Sequence, residues 1–200
     1  MNGTSDYMVA FSGQTQSYCI GVVDMINSTK ISAHLNSEKI STYYEIFLNS
    51  MSKTLSSFGG IVIKNIGDSL FYYFPESTNK NNFEFIGCLE SCLAMIENHK
   101  SICDKLESEK LPPVNYRISA DYGSVILMTT NHSTSCDMIG PPVNVCTKIN
   151  RIASPNGVVI GGDLYHMTKN FKEYSFKEKG WMPTGLKQTY PVYTFSRKNT

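Results

Sequence analysis

From Tyr18 to Asp24 the chain reads YCIGVVD, a short β-branched apolar run that stops at a carboxylate and leads into Asn27-Ser28-Thr29. Such a run predicts a buried strand feeding a turn. Further on, Ile61–Ile66 and Ser69–Phe74 flank Gly67-Asp68, which predicts a hairpin with an exposed Gly-Asp tip. One aspartate thus closes a buried strand, and a second sits on a turn that would lie beside it.

Two helices alternate with these strands. Ile40, Tyr44, Phe47, Met51 and Leu55 recur at three- and four-residue spacing, predicting a helix from Ser37 to Ser57 that Gly59-Gly60 ends. Ile86, Leu89, Leu93 and Ile96 mark a second, running to about Glu109, where Leu111-Pro112-Pro113 stops it. Val114–Tyr122 and Ser124–Thr129 read as strands joined at Gly123, and the polar stretch Asn131–Asp137 reads as a connection. Pro142 suits the first turn of a helix over about Val143–Ala153. After the turn Pro155-Asn156-Gly157 come a strand, Val158–Gly161, a short helix capped by Asp163 and running to about Phe171, and a last strand, Tyr190–Ser196. This order predicts an α+β fold of ferredoxin-like type, an antiparallel-rich sheet with helices packed on one face.

Composition sets the limits. Two hundred residues, of which 41% are hydrophobic, predict a single domain over 1–200 with its core at about 18–196 and short tails. Eighteen Lys+Arg against 17 Asp+Glu give no global field to recruit nucleic acid or an anionic membrane. With no apolar run of membrane length and no basic leader, the expected location is cytoplasmic. The six cysteines fall in no zinc-binding spacing and are expected to be reduced, mostly buried thiols.

Two groups of residues could carry chemistry. Carboxylates at neighbouring strand ends, Asp24 and Asp68, suit hard divalent cations, although each alone is equally a turn or capping residue. Asn144, Lys148 and Arg151, at i, i+4 and i+7, would give one helix face an amide and two cations, fit for a phosphate ester or for plain solvation.

Their joint order resembles the class III nucleotidyl cyclase catalytic domain from about Tyr18 to Phe195. VVDMINST is similar to the family's first metal motif, KNIGDSLFYYF to its K-x-x-G-D hairpin, RISADYGSV to its R-x-x-x-x-x-G strand, and DMIGPPVNVCTK to its D-x-x-G-x-x-V-N-x-x-x-R element. The resemblance implies Asp24, Asp68 and the backbone carbonyl of Met25 as ligands of two Mg²⁺ or Mn²⁺ ions, and Asn27, Ser28 and Thr29 as the loop around the phosphates. It places Lys64 and Asp137 where the base is read, which implies ATP, with Asn144 orienting the ribose and Lys148 facing the α-phosphoryl group. It also implies an antiparallel homodimer whose two sites each take the metal aspartates from one chain and the base-reading and ribose residues from the other.

The chain departs from the pattern at three places. Lys148 stands where the family has arginine, Thr184-Gly185 aligns with a Lys-Gly step whose lysine binds triphosphate, and Asn27-Ser28-Thr29 replaces Gly-Phe-Thr. Arg151 is a candidate substitute for the arginine and Lys187 for the lysine. The expected function is an adenylyl cyclase making cyclic AMP and pyrophosphate. The alternative is a catalytically weak nucleotide-binding or signalling module of the same fold.

Overall fold

The structure, a computed structural model, describes residues 8–76, 82–130, 133–183 and 189–198. In chain order it comprises β1 (Val9–Met25), α1 (Ser28–Ser32), α2 (Ser37–Ser57), β2 (Ile61–Ile66), β3 (Ser69–Phe74), α3 (Phe83–Glu97), α4 (His99–Ser108), β4 (Tyr116–Thr130) and β5 (Ser133–Ile139). The rest is α5 (Pro141–Ile149), a 3-10 turn (Asn150–Ile152), β6 (Gly157–Gly161), α6 (Gly162–Thr168), β7 (Tyr174–Pro183) and β8 (Thr189–Arg197). The strands form one eight-stranded sheet in the order β2-β3-β1-β4-β6-β8-β7, with β5 paired to β4. Every pairing is antiparallel except that of β4 with β6. The α+β, antiparallel-rich expectation holds.

Strand β1 lies inside the sheet, between β3 and β4, and both of its faces are apolar. Cys19, Val23 and Met25 pack into the larger core with Phe47 and Met51 of α2, Leu89 and Met95 of α3, and Leu106 of α4. Ile20 and Val22 face the other way, joining Phe71, Val125 and Cys146. Gly21 continues the first row, and a Cβ there would overlap the ring of Tyr72. Helices therefore cover both faces: α2, α3, α4 and α6 on one and α5 on the other, where the sequence predicts cover on one face only.

Helix α2 occupies the predicted residues. Asn36 caps it by accepting from the Lys39 N–H at 2.9 Å, and Gly59, in left-handed backbone at φ 83°, ends it. Its buried stripe runs through Tyr43 rather than Ile40 and Tyr44. The predicted second long helix is two, broken at Asn98, whose ψ of −4° opens the turn. The break lets the Asn98 amide donate to Thr54 Oγ1 at 3.1 Å and places His99 Nε2 2.9 Å from the Val114 carbonyl oxygen.

Five further differences are local. Strand β1 begins at Val9, since residues predicted as a tail extend the ladder along β4 and pair Val9 with Thr130. Gly123 does not divide two strands; it lies in line within β4, opposite Tyr18. The polar stretch 133–139 is a strand because its backbone pairs with β4, which its side chains do not advertise. Strand β7 lies where the sequence predicts no element, since Lys177-Glu178-Lys179 interrupts any apolar alternation; it is an edge strand, where charge deters pairing with other chains. Asp163 lies in the first turn of α6 and Gly161 takes the cap position. Cys19, Cys88, Cys92 and Cys146 are buried free thiols and Cys103 is half-buried, while the side chain of Cys136 lies outside the described residues. Among the described residues no helix is long and apolar enough to cross a membrane.

Candidate active site

The alternation that buries Ile20 and Val22 against α5 carries Asp24, the next member of that row, onto the same face. Across the ladders its neighbours are Ser69 of β3 and Arg117 of β4. The Ser69 hydroxyl donates to Asp24 Oδ1. Asp68 precedes Ser69 at the hairpin tip, where Gly67 takes the left-handed conformation at φ 61° that the turn demands. The two predicted carboxylates are thus brought together through one serine.

Asp24 is half-buried, and its pKa is raised: burial is the main cause, opposed by the Ser69 hydrogen bond, with the Asp68 charge raising it further and Arg117 and Arg151 pulling it down. A carboxylate disfavoured by burial and by a second carboxylate is one that a cation would relieve. Among the described residues no group of three or more His, Cys, Asp or Glu could hold a metal, so the fit is to a hard ion that completes its shell with backbone, water or ligand oxygens, as Mg²⁺ does. The Met25 side chain is buried in the larger core, so only its backbone can serve the site.

Asn27 turns the chain out of β1 into α1 in left-handed backbone (φ 61°, ψ 25°), and its side chain caps nothing. Asparagine tolerates that conformation better than other residues with a Cβ, which explains how it fills a place where the family resemblance expects glycine. Ser28 and Thr29 form the first turn of α1.

Beside Asp24 lies a cavity of about 150 Å³. Val22, Phe71, Met138 and Val143 supply apolar walls, and Lys64, Ser69, Asp137 and Thr147 supply polar edges. Lys64 of β2 and Asp137 of β5, 73 residues apart, form an ion pair here. The second Asp137 oxygen accepts from the Met138 N–H at 2.8 Å, which fixes the plane of the carboxylate. Ser69 belongs to both clusters, lining the cavity and holding Asp24.

Asn144 and Lys148 stand on α5, both exposed, and neither forms a hydrogen bond to either cluster. Arg151 does not continue their helix, because α5 ends at Ile149 and Arg151 lies on the 3-10 turn. Thr184 and Lys187 lie outside the described residues. The sequence singles out none of Ser69, Ser119, Asp121 and Asn150, and Arg117 only as part of a motif. The overlooked signal was the alternation Arg117-Ile118-Ser119-Ala120-Asp121, whose polar members all face α5 in a strand otherwise apolar at that level.

The family model for the adenylate and guanylate cyclase catalytic domain matches residues 11–196. Among solved structures, the adenylyl cyclase CyaB from P. aeruginosa is 19% identical with a TM-score of 0.81, over 93% of this chain and 97% of that one. The guanylyl cyclase Cya2 is 16% identical with a TM-score of 0.82, over 94% of this chain and 95% of that one. The guanylate cyclase domain of RhGC from Catenaria anguillulae, solved in complex with GTP, is 16% identical with a TM-score of 0.79, over 94% of this chain and 100% of that one. No curated protein matches the sequence.

Proposed function

Because the chain belongs to the adenylate and guanylate cyclase catalytic domain family, we propose that it is an adenylyl cyclase, converting ATP to 3′,5′-cyclic AMP and pyrophosphate in a homodimer. The fold is shared by adenylyl and guanylyl cyclases, so the choice of base rests on this chain's own side chains. The observation that carries it is the Lys64–Asp137 pair at the edge of an apolar-walled cavity. An ammonium facing the adenine ring nitrogen N1 and a carboxylate accepting from the exocyclic amine match adenine, whereas guanine would set its O6 against the carboxylate. Half-exposed ion pairs contribute about 0–1 kcal/mol, so a base can open this one at small cost.

Asp24 and Asp68 would hold two Mg²⁺ or Mn²⁺ ions, with the Met25 carbonyl as a further ligand. Bound there, these ions would lower the pKa of the ribose 3′-hydroxyl and take up charge on the departing pyrophosphate. The 3′-oxygen gives its proton to water and attacks the α-phosphorus as the bond to the pyrophosphate oxygen breaks, so that pyrophosphate leaves with the bonding electron pair. Asn144 orients the ribose, Lys148 faces the α-phosphoryl oxygens, and Asn27, Ser28 and Thr29 wrap the phosphates. Each site draws the aspartates from one subunit and Lys64, Asp137, Asn144 and Lys148 from the other.

The test is a cyclic-nucleotide assay on the purified chain with Mn²⁺. ATP should be turned over at least about tenfold faster than GTP, since leaving a buried polar group unpaired costs roughly 1–3 kcal/mol. Lys64→Ala should collapse that ratio, and a chelator should abolish product. Equal turnover of ATP and GTP by the wild type refutes the base assignment. Nucleotide binding without any cyclic product would favour a weak signalling module, the reading that lysine at position 148 supports.

A further inference from the structure

The 3-10 turn after α5 is pinned to the strand ends that bear the metal aspartate. Asn150, 4% exposed, donates its amide to the Val22 carbonyl at 3.4 Å, the Arg117 carbonyl at 3.2 Å and Ser119 Oγ at 3.2 Å. Val22 lies two residues before Asp24, and Arg117 is the residue paired with Asp24 across the ladder. Arg151, next along the turn and exposed, is thereby tied to the Asp24 end of its own chain. The charges of Arg117 and Arg151 both lower the Asp24 pKa from within the same chain.

Arg117 adds an independent sign. Its Nε is buried and donates to no group among the described residues, so a donor beside Asp24 is left there without an acceptor. Two guanidinium groups beside two carboxylates cancel much of the pull on incoming cations unless an anion comes with them. A polyphosphate bound through its metal ions is such an anion, and guanidinium forks match its oxygens.

We propose that Arg151 holds the β- and γ-phosphates in the half-site of Asp24 and Asp68 of its own chain, and does not stand in for the arginine that Lys148 replaces. The assignment rests on the shared-site cyclase reading. It divides the cations of α5 and the 3-10 turn between two sites: Lys148 serves the partner's aspartates and Arg151 its own.

Mixing variants decides it. Arg151→Ala homodimers should lose at least about tenfold in turnover and bind magnesium pyrophosphate at least about tenfold more weakly by calorimetry, with the melting temperature unchanged because the side chain is exposed. Co-expressed with Asn144→Ala, each mixed dimer would gather both lesions in one site and leave the other intact, restoring roughly a quarter of wild-type activity. Co-expressed with Asp24→Asn, the lesions would fall in different sites and nothing would be restored. Rescue by Asp24→Asn but not by Asn144→Ala would overturn the proposal, as would unchanged pyrophosphate affinity or rescue by neither partner while Asp24→Asn and Asn144→Ala rescue each other. If that control pair also fails, the shared-site reading falls, and the pyrophosphate affinity, which needs no mixed dimer, still decides whether Arg151 holds phosphate.

Discussion

On β1, Cys19, Val23 and Met25 face the layer of α2, α3, α4 and α6, while Ile20, Val22 and Asp24 face α5. The first row ends in a buried methionine and the second in a carboxylate. On β4 the contrast is stronger: Ile118 and Ala120 enter the larger core, whereas Arg117, Ser119 and Asp121 face α5. The face under α2, α3, α4 and α6 is filled by large apolar side chains such as Phe47, Met51, Leu55, Leu89 and Met95, so its contribution is stability. The α5 face carries small apolar clusters and a polar row that must be satisfied, and that row holds the candidate chemistry. Ser119 donates to the Cys146 carbonyl at 2.9 Å and Asp121 receives Tyr190 and the Leu164 N–H, so even its polar residues first serve to fasten α5, β8 and α6 to the sheet.

The strongest way to break this division is one substitution on each face. Asp24→Asn should reduce cyclic-nucleotide formation by orders of magnitude while leaving thermal stability equal or slightly higher, because burial already disfavours its charge. Phe47→Ala, at a fully buried position between α2 and Tyr116, should cost about 3–5 kcal/mol by denaturant titration. A large loss of stability in Asp24→Asn, or near-normal turnover, would dissolve the contrast.

A smaller effect tests whether the polar row of the α5 face lowers stability. Asp121 is 1% exposed, and burial pushes its pKa up to about 7, against hydrogen bonds from Tyr190 and from the backbone, with Asp163 adding a like charge. The folded form therefore keeps a proton that the unfolded chain releases near pH 4, and stability falls as pH rises through the window from about pH 4 to pH 7. Asp121→Asn should remove that fall, by at most about 4 kcal/mol at 1.36 kcal/mol per unit. The measurement is the difference between wild-type and variant unfolding free energies at each pH; parallel curves would show that Asp121 stays ionised throughout.

The same contrast explains what could be read from sequence. Asp24 and Asp68 were legible because one ends an apolar run and the other sits on a Gly-Asp turn, both local signals. Helix α2 was legible because its stripe is long and its cap and stop lie within the chain segment itself. The break at Asn98 was not, since the apolar spacing runs on across it and the cause, contacts with Thr54 and Val114, is tertiary. Strands β5 and β7 escaped for a related reason: edge pairing rests on backbone groups, and polar or charged side chains hide it. Lys64 and Asp137 came from motif resemblance alone, as nothing in their neighbourhoods predicts that β2 and β5 meet. Asn150 was hidden because a buried amide reads as a helix-surface residue until the strands beneath it are in place.

The mildest perturbation concerns the loop where β1 leaves the sheet, and it asks whether backbone shape or side chain matters there. Asn27 sits at φ 61° and makes no capping hydrogen bond, so its side chain is replaceable provided the left-handed turn survives. Glycine enters that conformation freely, while a residue with an ordinary Cβ loses roughly 1–2 kcal/mol to the contact with the following carbonyl. Asn27→Gly should therefore shift stability by only a few tenths of a kcal/mol, the gain in ease of turning offset by greater freedom in the unfolded chain. Its turnover should stay within about twofold of wild type, because the phosphates would be met by backbone groups that glycine presents equally well. Asn27→Ala should lower stability by about 1 kcal/mol and reduce turnover more than Asn27→Gly does. If Asn27→Gly instead loses as much activity as Asn27→Ala, the asparagine amide itself contacts the nucleotide, and the α5 face would use side chains even where its backbone suffices.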